Sequence, residues 1–358
     1  VPGYPTTWGA APYKDQFINE TATVVKKLED AGAILVAKLV SGALARGDVW
    51  FDGKTKNPWD TTQGASGSSA GSGSATSAGL VPFALGTETL GSITSPSTRN
   101  GVTGLRPTYG RVSRHGVMSL SWSMDKVGPL GRNAEDCAIV FEAIQGKDEN
   151  DLTTVDLPFG VDWKKDYKNL RVAYLKKDIE KDTTESGDNL RNALKSLKEM
   201  GIEPTAIEMP EAVPYRGFDI ILRAEAGAFF DELVRSGGVD IMVEQDQRSR
   251  ANSLRQSRFI PAVEYIQANR QRQVLIQKMQ DLMKDYDVLI SPTFGNDQLL
   301  ATNLTGHPVI AVPTGLDDKN HPTSMTFVGN LYDEESILLL AKAFQDNTSF
   351  DELHPPGY

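Results

Sequence analysis

The most constraining feature of this chain is a stretch of small residues. From Gly64 to Gly79 the sequence is almost entirely Gly, Ser, Ala and Thr, and the apolar segment Leu80-Val81-Pro82-Phe83-Ala84-Leu85 follows at once. A Gly/Ser-rich run can be a flexible linker. A linker has little reason to lead directly into strand-like sequence, so the reading here is a tightly packed loop and helix. Small side chains there let backbones approach closely.

The rest of the chain alternates between helix and strand periodicity. Glu20–Ala31 has helix spacing with Val24, Val25 and Leu28 on one face, Gly32 ends it, and Ile34-Leu35-Val36 reads as a buried strand. Helices are expected at Cys137–Ile144, Asn189–Met200, Phe218–Arg235, Ala262–Asp285 and Glu334–Gln345. Extended segments are expected at Leu170–Leu175, Gly201–Met209, Val288–Ile290 and Val309–Val312. This alternation predicts an α/β fold with helices on both faces of a sheet that is large, mixed and mostly parallel.

Composition narrows the function. With 358 residues, 39% hydrophobic and 23% charged, the chain can bury a large core. It is read as a single domain over 1–358. The net charge of −10 repels phosphate and argues against nucleic acid as a partner. No run approaches the ~20 apolar residues of a membrane span. Cys137 is the only cysteine, which excludes an intrachain disulfide and favours the cytoplasm. His115, His307, His321 and His354 form no short-spaced ligand pair, so a metal is not expected.

Two serine clusters carry the chemistry. One is Gly67-Ser68-Ser69-Ala70-Gly71-Ser72-Gly73. The other is Gly86-Thr87-Glu88-Thr89-Leu90-Gly91-Ser92-Ile93, a small-residue turn after an apolar strand. Backbone N–H groups in such a turn can converge on a developing oxyanion, with a serine at its end presented to the same point. These two clusters, in this order, resemble the amidase signature family. So do Gly101-Val102-Thr103-Gly104-Leu105-Arg106-Pro107-Thr108, Ser123-Met124-Asp125-Lys126-Val127-Gly128-Pro129-Leu130 and Asn303-Leu304-Thr305-Gly306-His307-Pro308. The resemblance is dense over 60–145, sparse over 150–285, and returns near the C-terminus.

The resemblance implies a Ser–Ser–Lys hydrolase of carboxylic amides that works through an acyl-enzyme, on a small-molecule substrate and without a cofactor. It implies Ser92 as nucleophile and Ser68 as the bridging serine, which the family holds after a cis peptide bond. Ser69 would support them. The backbone amides of Thr89, Leu90, Gly91 and Ser92 would form the oxyanion hole. A lysine accepts a proton only when neutral, roughly one molecule in 2,500 at pH 7 for an unperturbed side chain, so burial must lower its pKa. The family's base lysine precedes a Gly-x-x-Thr-Thr segment, here Gly3-Tyr4-Pro5-Thr6-Thr7, and so is expected a few residues before Val1. Lys38, near the serine clusters in sequence, matches a family lysine outside the triad, at the exit of the Ile34–Val36 strand.

Three positions depart from the family pattern: Glu88 replaces Asp, Leu90 replaces Gly, and Thr94 replaces the Arg after Ser-Ile. The last weakens the likeness to the glutaminase subunits of tRNA-dependent amidotransferases. Two rival readings remain. Gly67-Ser68-Ser69-Ala70-Gly71 also fits the Gly-x-Ser-x-Gly elbow of α/β-hydrolases, with Ser69 as nucleophile and His321 or His354 as base. Alternatively, the chain is an inactive amidase-like binding protein. Trp122, Met124, Phe230 and Phe294 are candidates for an apolar substrate pocket. A homo-oligomer is allowed.

Overall fold

The computed structural model describes residues 1–294 and 297–358. Helix α1 (Thr23–Asp30) comes first, then two small hairpins: β1 (Val49–Trp50) with β2 (Gly53–Lys54), and β3 (Lys56–Asn57) with β4 (Asp60–Gly64). The serine-rich helix α2 (Ala70–Ser77) leads into strand β5 (Phe83–Glu88), and helix α3 (Thr94–Asn100) leads into β6 (Thr103–Arg106). Strand β7 (Lys126–Gly131) and helix α4 (Ala134–Ile144) follow, then β8 (Val172–Leu175), α5 (Lys176–Glu180), α6 (Glu185–Glu199) and β9 (Thr205–Ile207). A helical stretch comprises α7 (Asp219–Phe229), α8 (Asp231–Arg235), α9 (Arg250–Ser257) and α10 (Ala262–Met283). Strand β10 (Val288–Pro292), helix α11 (Gln298–Thr305), the hairpin β11 (Val309–Leu316) with β12 (Pro322–Gly329), and α12 (Glu334–Asp346) complete the chain.

The central sheet has eight strands in the order β5-β7-β6-β11-β12-β10-β8-β9. It is mixed, as expected, but not mostly parallel. Pairing is antiparallel from β5 across to β10, and parallel only from β10 through β8 to β9. In the antiparallel part β11 and β12 are joined directly as a hairpin, so no crossover helix intervenes.

Alternation along the strands sorts side chains to two cores. Val288 and Ile290 face one, where α1, α4, α6 and α12 pack; Leu289 faces the other with α7, α10 and α11. Helix ends follow local chemistry. The Asn133 side chain caps α4 by accepting from the Asp136 N–H at 2.9 Å. Gly101, at φ 66°, ends α3.

Two local expectations fail. Ile34-Leu35-Val36 forms no strand, and Ile34 and Val36 are 86% and 70% exposed. An apolar run signals burial only if a ladder partner lies alongside, and β5, the sheet's edge, pairs only with β7. Phe218–Arg235 is not one helix but breaks at Phe230, whose side chain is buried against Ala226, Leu233 and Trp8.

Candidate active site

The small residues of α2 do what their size allows. Ser72 Oγ donates to the Leu85 carbonyl of β5 at 2.7 Å, and a Cβ on Gly73 would meet Asn100 Nδ2 at 2.8 Å. With the helix this close to the strand, the two serine clusters meet: the Ser69 N–H donates to the Ser92 carbonyl at 3.3 Å. The peptide between Gly67 and Ser68 is cis. Ser68, Ser69 and Ser92 are all buried.

The turn after β5 folds around a carboxylate. Glu88 Oε2 accepts from the N–H groups of Ile93 and Thr94 at 2.9 and 3.0 Å, and from Thr94 Oγ1. Its Oε1 accepts from Arg106 at 2.7 Å and Asn303 at 2.8 Å. Burial alone would raise the Glu88 pKa. The Arg106 and Lys126 charges and the N–H donors outweigh it and hold the carboxyl at about 2. Gly91, at φ 86°, lets the chain reverse where an L side chain would be strained. The outcome divides the turn's donors. Ile93 and Thr94 point back at Glu88, whereas among the described residues the N–H groups of Thr89, Leu90, Gly91 and Ser92 have no protein acceptor. Glu88 fills its Asp-like place with a longer arm, and Thr94 is fully buried as part of the same cap.

Thr89 is held from the side. Its Oγ1 donates to Asp125 Oδ1 at 2.5 Å, and Asp125 Oδ2 accepts the N–H groups of Leu120 and Ser121 at 2.7 and 2.8 Å. A cleft of about 210 Å³ reaches the turn at Thr89, though not at Ser92. Its walls include Thr87, Met118, Trp122, Asp125 and Lys126. Lys126 is a functional candidate that the sequence reading missed. It lies opposite Glu88 in the β5–β7 ladder, so both side chains project from the same face. It is buried, and its Nζ has no hydrogen-bond partner among the described residues. Burial first, and then Arg106, push its pKa well below the usual lysine value.

Of the apolar pocket candidates, Trp122 lines the cleft. Met124 and Phe230 are core residues, and Phe294 is half-exposed outside that wall. Lys38 sits on no strand. Its Nζ donates to Thr6 Oγ1 at 2.5 Å, and it lines a separate hollow with Tyr4, Trp8 and Trp50. Ser69 Oγ is engaged by β5, donating to the Thr87 carbonyl at 3.2 Å and accepting its N–H at 3.1 Å. His321 lies between Asp60 and Asp317 beside Gln63, and His354 lies beside Arg132. A nucleophile elbow on Ser69 therefore has neither a free hydroxyl nor a histidine at hand. No helix is long and apolar enough to cross a membrane, and no cluster of potential metal ligands occurs among the described residues.

A family model described as Amidase matches residues 1–338. A glutamyl-tRNA(Gln) amidotransferase subunit of Staphylococcus haemolyticus is 33% identical over 387 aligned positions, covering 92% of this chain and 77% of that protein. The likeness to such subunits is thus substantial along the chain despite Thr94. The crystal structure of the corresponding Thermotoga maritima protein superposes with a TM-score of 0.84 at 27% identity, covering 99% of this chain and 83% of that one. A peptide amidase from Stenotrophomonas maltophilia shares the fold with a TM-score of 0.84 at 24% identity, covering 100% and 82%.

Proposed function

Since the chain belongs to the amidase family, we propose that it hydrolyses the C–N bond of a carboxylic amide through an acyl-enzyme on Ser92. The observation that carries this reading is the divided turn. Glu88 consumes the donors beyond Ser92, and those of Thr89, Leu90, Gly91 and Ser92 remain for a developing oxyanion.

In this reaction Ser92 Oγ bonds to the amide carbon. Its proton passes to Ser68 Oγ as the Ser68 proton passes to a neutral lysine amine. The tetrahedral oxygen takes its negative charge in front of the turn. The C–N bond then breaks, and the nitrogen leaves with a proton returned through Ser68. Water attacks the ester with the same relay reversed, which gives the acid and restores Ser92. The lysine is the family's base, expected N-terminal to Val1. Ser69 supports the site by tying the Ser68 loop to β5. The engagement of its hydroxyl argues against the elbow reading.

The test is hydrolysis of a panel of alkyl, aryl and peptide C-terminal amides by a protein that includes the upstream segment, with Ser92→Ala alongside. Turnover of at least one amide, with a loss of ~10⁴-fold or more in the variant, is expected. Activity retained within tenfold contradicts the assignment.

A further inference from the structure

Glu225, in the middle of α7, is fully buried, and no arginine or lysine forms an ion pair with it among the described residues. Its carboxylate is satisfied by hydroxyl and amide donors. Oε2 accepts from Ser121 Oγ and from Ser123 N–H at 3.3 Å; Oε1 accepts from Ser123 Oγ at 2.8 Å and Tyr265 OH at 3.0 Å. A buried carboxylate is tolerated only with this degree of hydrogen bonding, and an apolar residue would pack the junction of α7 and α10 without that requirement. What Glu225 grips is therefore informative. It holds the loop Leu120–Asp125, the loop that Asp125 ties to Thr89.

Helix α10 grips the same loop. Arg272 donates to Ser123 Oγ at 2.7 Å and to the Ser123 carbonyl at 2.8 Å. Through Nε it also donates to the Leu304 carbonyl at 2.6 Å, next to Asn303, which bonds Glu88. The turn that begins at Glu88 is thus anchored on two sides, and both anchors lead to the α7–α10 helices. The gripped loop is also a wall of the cleft, through Leu120, Trp122 and Asp125.

We propose that Glu225 is a positioning residue for the reaction: it fixes the cleft loop so that Asp125 holds Thr89, and with it the N–H groups of the turn, in place when the cleft is filled. This rests on the oxyanion role given to the turn above. Neither α7 nor Glu225 touches the reacting atoms; the effect travels from Glu225 through Ser121 and Ser123 to Asp125 and Thr89.

A double-mutant cycle in a protein that includes the segment before Val1 tests it, reading the rate at which a fluorophosphonate labels Ser92, because phosphonylation develops charge on the same oxygen position. Glu225→Gln and Thr89→Val are each expected to slow labelling about tenfold. Because both act on one chain of bonds, the double variant is expected to be no slower than the slower single one. Losses that multiply, or Glu225→Gln labelled at the wild-type rate, overturn the proposal. A purely structural glutamate would lower the melting temperature but leave the two losses independent. If Glu225→Gln does not fold, Ser123→Ala takes its place in the cycle with the same two outcomes. A wild-type protein that is not labelled at Ser92 sinks the hydrolase reading instead, so the two failures are distinct.

Discussion

Two neighbouring segments promise burial in the sequence and meet opposite fates. Gly64–Ser92 contains few large side chains, yet several of its hydroxyls have a defined partner: Ser69 on Thr87, Ser72 on Leu85, Ser77 on the Asn100 carbonyl. Ala33–Val40 is rich in apolar side chains and lies largely exposed. The two touch where the Gly71 N–H donates to the Val40 carbonyl at 3.0 Å. The contrast shows that close backbone approach, rather than hydrophobicity, builds this serine wall. Small residues can be inserted between a helix and a strand, whereas an apolar run without a ladder partner gains nothing by being apolar.

Within the wall, adjacent serines should differ most. Ser68→Ala is expected to reduce turnover by ~10³-fold or more and to add little to the loss from Ser92→Ala, since the two act as one unit. Ser69→Ala leaves the proton path intact and removes only a brace on β5, so its loss in kcat should be much smaller. Steady-state kinetics of the two singles and the Ser68/Ser92 double decide this. A Ser69→Ala variant far worse than Ser68→Ala would shift the register of the site by one residue.

The acid-sensitive group should lie behind the wall, where Arg106 bonds both Glu88 and the His307 carbonyl. His307 is buried with Nδ1 2.7 Å from Thr305 Oγ1, and its carbonyl accepts from Arg106. Burial, and then the Arg106 charge, lower its pKa from 6.5 to about 4. Between these values the unfolded chain binds the proton and the folded one does not. Stability is therefore complete above about pH 6.5 and falls by about 3 kcal/mol as pH drops to about 4. Urea denaturation at pH 7 and pH 4.5 should show a distinctly smaller acid loss for His307→Gln than for the wild type. An unchanged loss would place the acid sensitivity elsewhere.

The exposed segment should respond least. Lys38→Met is expected to leave turnover within tenfold, because Lys38 bonds Thr6 and neither Ser68 nor Ser92. Val36→Asp should shift stability by no more than about 0.5 kcal/mol, as exposed positions do. A Lys38→Met protein that is folded and silent would make Lys38 the base and dissolve the contrast between the segments.

The same contrast explains what was legible in the sequence. The serine wall is local: Gly91 at a left-handed φ, a serine after it, and a helix of small residues before it all leave a mark within a few positions. The α/β alternation and the long helix expected over Ala262–Asp285, found at Ala262–Met283, were readable for the same reason. The sheet's antiparallel majority was not, because strand direction depends on which distant strands pair. Glu225, Asp125 and Lys126 were silent as candidates for another reason. An acid within a helix, or a lysine at a strand's start, reads as solvent-facing until its partners arrive from elsewhere in the chain, as Ser121 and Ser123 do for Glu225. Phe230 hides its helix break in the same way, since only its burial against Trp8 and Leu233 shows why the chain turns.

The central claim is that Ser92, and not its neighbour across the 3.3 Å bond at Ser69, is the nucleophile. The most direct measurement is to treat a protein that includes the segment before Val1 with a fluorophosphonate and locate the adduct by peptide mass spectrometry. The account predicts one modified residue, Ser92, with labelling abolished by Ser92→Ala and retained in Ser69→Ala. An adduct on Ser69, or labelling that survives Ser92→Ala, would contradict it.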